Sequence, residues 1–337
     1  MIKRHLMLRL LEAAKRYPVL SLTGPRQSGK TTLAKAAFPK YDYVSLEAPD
    51  AREFALSDPR GFLDRFDHGV ILDEAQRAPD LFSYIQGLVD ERDRPGEFVV
   101  TGSQNFLLSD KVSQSLAGRA AILHLLPFSH GELTGRTPKP PQTLLKPLRS
   151  KAPAASLWST LFTGFYPRIH DKELPPQDWL GNYVQTYVER DVRMLVNVVD
   201  LEVFGRFLRL CAGRNGQLLD YVSLGNDCGV SNVTAKRWIS VLEASFLVKI
   251  LRPHHANFNK RLIKSPKLYF LDTGLLCYLL GIRSPEELEV HSMRGAVFEA
   301  FVVSELTKQY MNAGETPPLH FWRDSKGNEV DVIVEQG

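Results

Sequence analysis

The segment SLTGPRQSGKTTLAK (Ser21–Lys35) does most to restrict what this chain can fold into. Pro18–Thr23 has the composition of a strand and Thr31–Ala37 that of a helix, so the backbone must pass from one to the other across Gly24, Pro25, Arg26, Gln27, Ser28 and Gly29. Glycines there let successive N–H groups turn inward, and the helix N-terminus aims its dipole at the same point. Such a loop is built to hold phosphate. Gly24, Gly29, Lys30 and Thr31 satisfy G-x-x-x-x-G-K-[ST], with Thr32 extending the first helical turn. Lys30 would then reach the outer phosphates of ATP, and the Thr31 hydroxyl would take a Mg²⁺ ion.

That requirement sets the reading of the first third. Short apolar runs, PVLSLTG, YDYVSL, GVILDEA, EFVVTGS and AAILHLL, alternate with longer helical stretches. Strands separated by helices need crossover connections, which predicts an α/β fold with a parallel five-stranded sheet covered on both faces. A chain of 337 residues is too long for one unit, so further domains are expected. The sequence texture divides it into residues 1–133, the ATPase domain; 134–156, a proline-rich basic linker; 157–200, a helical connector with Glu189 and Arg193 at i,i+4 spacing; 201–270, a helical module ending in a hairpin; and 271–337, a partial α/β domain. The net charge of +4 is too mild to argue for nucleic acid by itself. Three scattered cysteines, Cys211, Cys228 and Cys277, fit a reducing compartment and neither a disulfide framework nor zinc. With no secretory leader or bilayer-length apolar run in view, a cytoplasmic protein without a membrane partner is expected.

Phosphate chemistry needs acids beside the loop. Val70, Ile71 and Leu72 read as a buried strand that delivers Asp73 and Glu74 at its carboxyl end, where open α/β sheets bind ligands. Asp73 is the expected second partner of Mg²⁺, and Glu74 the expected base for the attacking water. The fourth strand ends in Ser103, Gln104 and Asn105, any of which could sense the terminal phosphate. Arg119, just before the fifth strand, is expected to serve a neighbouring copy's nucleotide in a homo-oligomer, the alternative being a solvated arginine at a helix end.

With these residues assembled, the chain resembles the AAA-type P-loop ATPases of bacteria and archaea, and more closely a prokaryotic family that joins such an ATPase to a winged-helix region and a C-terminal domain. The resemblance is carried by RHLMLRLLEAAKRYPVLSLTGPRQSGKTTLAK, ILDEAQRAPDLF, VVTGSQNFLL, SLAGRAAILHLLPFSHGEL, GFYPRI, YVERDV, PKLYFLDTGLL and RGAVFEAFVVSEL. It implies ATP binding and hydrolysis with Lys30, Thr31, Asp73 and Glu74 in the matching motif positions.

In the second half, LLDYVSLGNDCGVSNVTAKRWISVLEASFLVKIL reads as a helix, a tight turn at Gly229 and a second helix capped by Ser231. Val233, Trp238, Ile239 and Leu242 form an expected apolar stripe, leaving Thr234, Lys236, Arg237 and Ser240 outside. Such a helix can lie in a major groove, and Lys249–Lys267, with six Lys/Arg and no acid, adds Lys260 and Arg261 as candidate DNA contacts. The competing expectation is a packing module between subunits. Finally, a helix carries Glu299 and a hairpin carries Glu329 and Asp331; the resemblance implies a restriction-endonuclease fold here, with Glu299 and Asp331 as its helical and strand acids, the alternative being relics or structural residues. No E-x-K follows Asp331 before Gly337, which reads as a shortened or degraded domain, so nuclease activity is not expected. Two functions result: a Mg²⁺-dependent oligomeric ATPase coupled to DNA binding or remodelling, or a nucleotide-gated switch that binds a protein and hydrolyses slowly. A small-molecule kinase is disfavoured, since neither a lid nor a substrate pocket is legible.

Overall fold

The computed structural model describes residues 2–103, 116–143, 156–186, 201–254, 265–324 and 326–335. Gln104, Asn105, Glu189, Arg193, Lys260, Arg261 and most of the 134–156 linker lie outside them. The chain forms two compact units, residues 1–138 with 311–315, and residues 139–310 with 316–337.

The first unit contains β1 (Val19–Thr23), β2 (Asp42–Ser45), β3 (Val70–Asp73), β4 (Phe98–Gly102) and β5 (Ala120–His124) in the order β2-β3-β4-β1-β5. Every pairing is parallel. Side-chain alternation along these strands feeds two cores. Val19, Val70, Leu72, Phe98 and Val100 pack with Phe62, Phe82 and Ile85. Leu20, Leu22, Ile71, Val99 and Leu123 pack with Leu6, Leu10 and Leu33. The second set is covered by α1 (Leu6–Ala14) and α2 (Lys30–Ala37); the first by α3 (Pro49–Ser57), α4 (Pro59–Leu63) and α5 (Leu81–Arg92). A sheet covered on both faces leaves its carboxyl-end loops as the place for chemistry. The short helix α6 (His130–Leu133) closes the unit with a capping box between Ser129 and Glu132.

In the second unit, α7 (Leu157–Thr163), α8 (Pro167–Lys172) and α9 (Pro176–Tyr183) precede α10 (Leu201–Gly213), α11 (Tyr221–Cys228) and α12 (Asn232–Ala244). Asp220 caps α11 and Ser231 caps α12 through backbone N–H groups. The turn between them is tight because Gly225 lies where a Cβ would meet Val230 O at 2.8 Å. Strands β6 (Val248–Pro253) and β7 (Lys267–Phe270) pair antiparallel, and α13 (Thr273–Leu279), α14 (Pro285–Val290) and α15 (Arg294–Asn312) follow. Strand β8 (Leu319–Arg323) pairs with β6 in parallel and with β9 (Glu329–Val334) antiparallel. Segments 157–200, 201–270 and 271–337 therefore contribute to one core, from Leu161 to Phe321. Two quoted motifs meet inside it. Asp272 caps α13 at Leu275 N and also accepts from Phe165 N at 2.8 Å, while the backbones of Gly164 and Gly274 touch. The three cysteines are buried and free. No helix among the described residues is long and apolar enough to cross a membrane.

Candidate functional site

The loop between β1 and α2 has the backbone that its glycines anticipate. Gly24 has φ of 152°, and a Cβ there would lie 2.1 Å from Leu125 O, so no other residue fits. Gly29 caps α2 with φ of 91°. Gln27 also takes the left-handed conformation, at φ 63°. Lys30 is buried, and its Nζ donates to Gly24 O at 2.9 Å and Pro25 O at 2.8 Å. Burial lowers its ammonium to about 8, against the raising effect of Glu74 and Asp73 and with a further lowering by Arg26. Phosphate oxygens at this point would favour the charged form.

Asp73 ends β3 beside the loop and is buried. Its Oδ2 accepts from Thr31 Oγ1 at 3.0 Å and Tyr43 Oη at 2.9 Å, and its Oδ1 accepts from Thr101 Oγ1. Tyr43 comes from the neighbouring strand β2 and Thr101 from β4. Burial and the bond to Asp73 push the Tyr43 phenol up to about 12, so it stays a donor, and Lys35 Nζ stands 3.3 Å over its ring. Glu74 follows in the left-handed conformation, φ 54° and ψ 43°, a strain of about 1–2 kcal/mol for a residue with a Cβ. The turn brings its Oε2 within 3.1 Å of Ser103 Oγ on the strand-4 end, and Gln76 Nε2 donates to the same oxygen. Of the three polar residues expected at that strand end, Ser103 alone lies within the described residues.

Behind the loop lies a support. Arg4 Nη1 donates to Ser28 O and Nη2 to Leu126 O, both at 2.6 Å, while Nε pairs with Glu132 Oε1 at 3.1 Å. Burial lowers the Arg4 guanidinium from its ordinary value, Glu132 opposing. His124 Nδ1 and Thr23 Oγ1 are 2.7 Å apart at the last residue before Gly24, and burial lowers the imidazole to about 4, so it is neutral near pH 7. Tyr43, Thr101, Gln76, Arg4 and His124 were not singled out from sequence. Sheet order brings Tyr43, Thr101 and His124 here, and the turn after Glu74 brings Gln76.

Arg119 does not join this group. In the register that pairs Val19 with Ala120, it precedes β5 at the sheet edge opposite the loop, and its Nη2 donates to Asp90 Oδ2 at 2.9 Å. Thr32 and Gln27 are exposed, and Arg26 stands 3.8 Å from Glu47 Oε1. On α12, Lys236, Arg237 and Ser240 face outward and Trp238, Ile239 and Leu242 inward, as expected. Val233 corrects the expected stripe: it is 72% exposed, because it occupies the first turn, ahead of the buried Ala235. Glu329 and Asp331 do not stand as open metal ligands, since Lys267 Nζ reaches Glu329 and lies 3.4 Å from Asp331 Oδ1; Glu299 accepts from Tyr269 Oη at 3.3 Å.

The loop residues fit a nucleotide and Mg²⁺ on structural grounds. Ser28 Oγ is buried in the loop without a hydrogen-bond partner among the described residues. Thr31 and Asp73 offer the hard oxygen donors that Mg²⁺ takes alongside phosphate.

An AAA domain matches residues 16–134. Two domains of unknown function, DUF8612 and DUF4143, match residues 154–286 and 294–337. An uncharacterized protein of Mycobacterium tuberculosis is 34% identical over 338 aligned positions, covering 99% of this chain and 71% of its own length, and one of Mycobacterium bovis matches equally. Among solved structures, the Walker-type ATPase of Pyrococcus abyssi overlaps 83% of this chain and 96% of its own at 14% identity and a TM-score of 0.43.

Proposed function

The chain belongs to the AAA-domain family that includes these two mycobacterial proteins, and from that premise we propose that it is a Mg²⁺-dependent ATPase. The observation that carries the reading is the bond between Thr31 Oγ1 and Asp73 Oδ2. It brings together two oxygens of the kind Mg²⁺ takes, at the mouth of a phosphate loop, with Glu74 next in the chain. Mg²⁺, when bound there, would neutralise charge developing between the β- and γ-phosphates. The loop amides and Lys30 hold the triphosphate, and burial of Lys30 keeps water from competing for it. Glu74, with one oxygen held by Ser103 and Gln76, takes a proton from the attacking water through the other.

Hydrolysis measured on wild type and Glu74→Gln tests this. Turnover is expected in the first and loss by roughly 10²–10⁴-fold in the second, with ATP still bound. Equal turnover would remove Glu74 from the role. Assembly belongs to the same reading: Arg119, remote from its own loop, would leave Asp90 to act on a neighbour's nucleotide, the alternative being the surface ion pair it makes here.

Coupling to DNA is supported by the outward Lys236 and Arg237, with Lys260 and Arg261 as further candidates outside the described residues. Duplex and single-stranded DNA binding titrated with salt is the check: affinity that falls steeply with salt is expected. One observation favours the second reading, a nucleotide-gated protein-binding switch. Val222 and Val233 are 55% and 72% exposed on the surface that holds Lys236, which suits an apolar partner. Absence of DNA affinity at low salt would decide for it.

A further inference from the structure

Gln76 stands in the 3₁₀ turn Ala75–Arg77, two residues after Glu74. Its Nε2 donates to Glu74 Oε2, the oxygen that also accepts from Ser103 Oγ. An ionised carboxylate can only accept, so the end of the amide that faces it has to be the NH₂ end, which fixes the other end as the carbonyl. That carbonyl oxygen, Oε1, is buried and has no hydrogen-bond partner among the described residues. Leaving a buried acceptor unpaired costs about 1–3 kcal/mol, and a catalytic role is one of the reasons a fold keeps such a cost. Within one amide the oxygen and nitrogen are about 2.2 Å apart, so this acceptor stands beside the Glu74 carboxylate.

We propose that Gln76 is a second catalytic residue of ATP hydrolysis, whose Nε2 holds Glu74 while its Oε1 accepts a hydrogen bond from the attacking water. The proposal rests on the reading of Glu74 as the base. A water molecule has two hydrogens, and the site then offers two acceptors for them, Glu74 Oε1 and Gln76 Oε1, which fixes the direction of the oxygen lone pair. In the step, the water oxygen bonds to the γ-phosphorus and the bond from that phosphorus to the bridging oxygen breaks, its electron pair leaving on ADP. One proton passes to Glu74 Oε1. The other stays on the new phosphate, having been held by Gln76 Oε1 during attack, and Glu74 later returns its proton to phosphate or solvent. The left-handed backbone of Glu74 turns both side chains into this arrangement.

The test compares Gln76→Glu, which keeps the shape but loses the donor, with Gln76→Ala, both in the full chain. Single-turnover hydrolysis of prebound ATP with Mg²⁺, affinity for a fluorescent ATP analogue and thermal stability are measured together. Both variants are expected to lose roughly 10–10²-fold in the hydrolytic rate constant with analogue affinity within about twofold, and Gln76→Glu to lose more because its carboxylate repels Glu74. A wild-type rate, or affinity and stability falling in step with the rate, overturns the proposal. Glu74→Gln run in parallel separates the two ideas. If it hydrolyses like wild type, the reading of the site fails; if it is inactive while both Gln76 variants run at the wild-type rate, only the role of Gln76 fails.

Discussion

Each unit of the molecule gathers carboxylates around a buried lysine, and the two clusters are wired in opposite ways. In the first unit, Lys30 bonds the carbonyls of Gly24 and Pro25, and the acids beside it, Asp73 and Glu74, are held by hydroxyls and an amide. Cation and anions lie close without bonding each other. In the second unit, Lys267 pairs directly with Glu329 and Asp331, and Arg323 adds a 3.1 Å contact to Glu329. That cluster neutralises itself. The difference teaches what separates a site from a brace: uncancelled charge of both signs, held apart by neutral donors and acceptors, is complementary to a ligand that carries both, such as a metal–triphosphate.

Three substitutions test the contrast. Lys30→Ala has the largest expected effect, a loss of roughly 10²–10³-fold in hydrolysis, since it removes a charge aimed at the transferred phosphoryl group. Steady-state phosphate release measures it, and near-normal turnover would erase the distinction between the clusters. Lys267→Met is expected to leave hydrolysis unchanged and to destabilise the protein by about 1–2 kcal/mol in chemical denaturation. The loss is moderate because Glu329 and Asp331 retain access to water. Hydrolysis falling with it would join two regions treated as independent.

A third test concerns pH. His124 keeps a neutral ring down to about 4, whereas its ordinary value is 6.5, so between those values the unfolded chain binds more protons than the folded one. The stability that His124 contributes therefore falls as pH drops from 6.5 toward 4, by at most about 1.4 kcal/mol per pH unit. Glu299 acts in the other direction. Burial first, then Asp331, raises its carboxyl above the ordinary value, so the folded form holds its proton to higher pH and acid favours the fold there. Amide hydrogen exchange followed against pH should show the first unit loosening in this window, with His124→Gln flattening the change.

The loop was legible because each of its residues answers a backbone demand that sequence spacing expresses: Gly24 and Gly29 for positive φ, Lys30 and Thr31 for the first turn of a helix. Asp73 and Glu74 were legible because they end a strand. Tyr43 and Thr101 were not, since each reaches Asp73 only through the neighbour relations β2-β3 and β3-β4, which periodicity does not encode. Gln76 lay within a quoted motif but has no local signal, its partner being created by the left-handed turn at Glu74. Likewise Lys267 is 62 residues from Glu329, and strand pairing alone converts those acids from open ligands into ion-pair partners.

The Arg4 support has a consequence in time. Its carboxylate partner is 128 residues downstream, and the strand that carries Ser21 is flanked by strands that emerge much later. At about 5–20 residues per second, a ribosome needs roughly 6–26 s to deliver Glu132 after Arg4. The nascent chain therefore exposes its phosphate-gripping segment long before that segment can take shape, and nucleotide becomes a possible companion of folding only once the chain through Glu132 has left the tunnel.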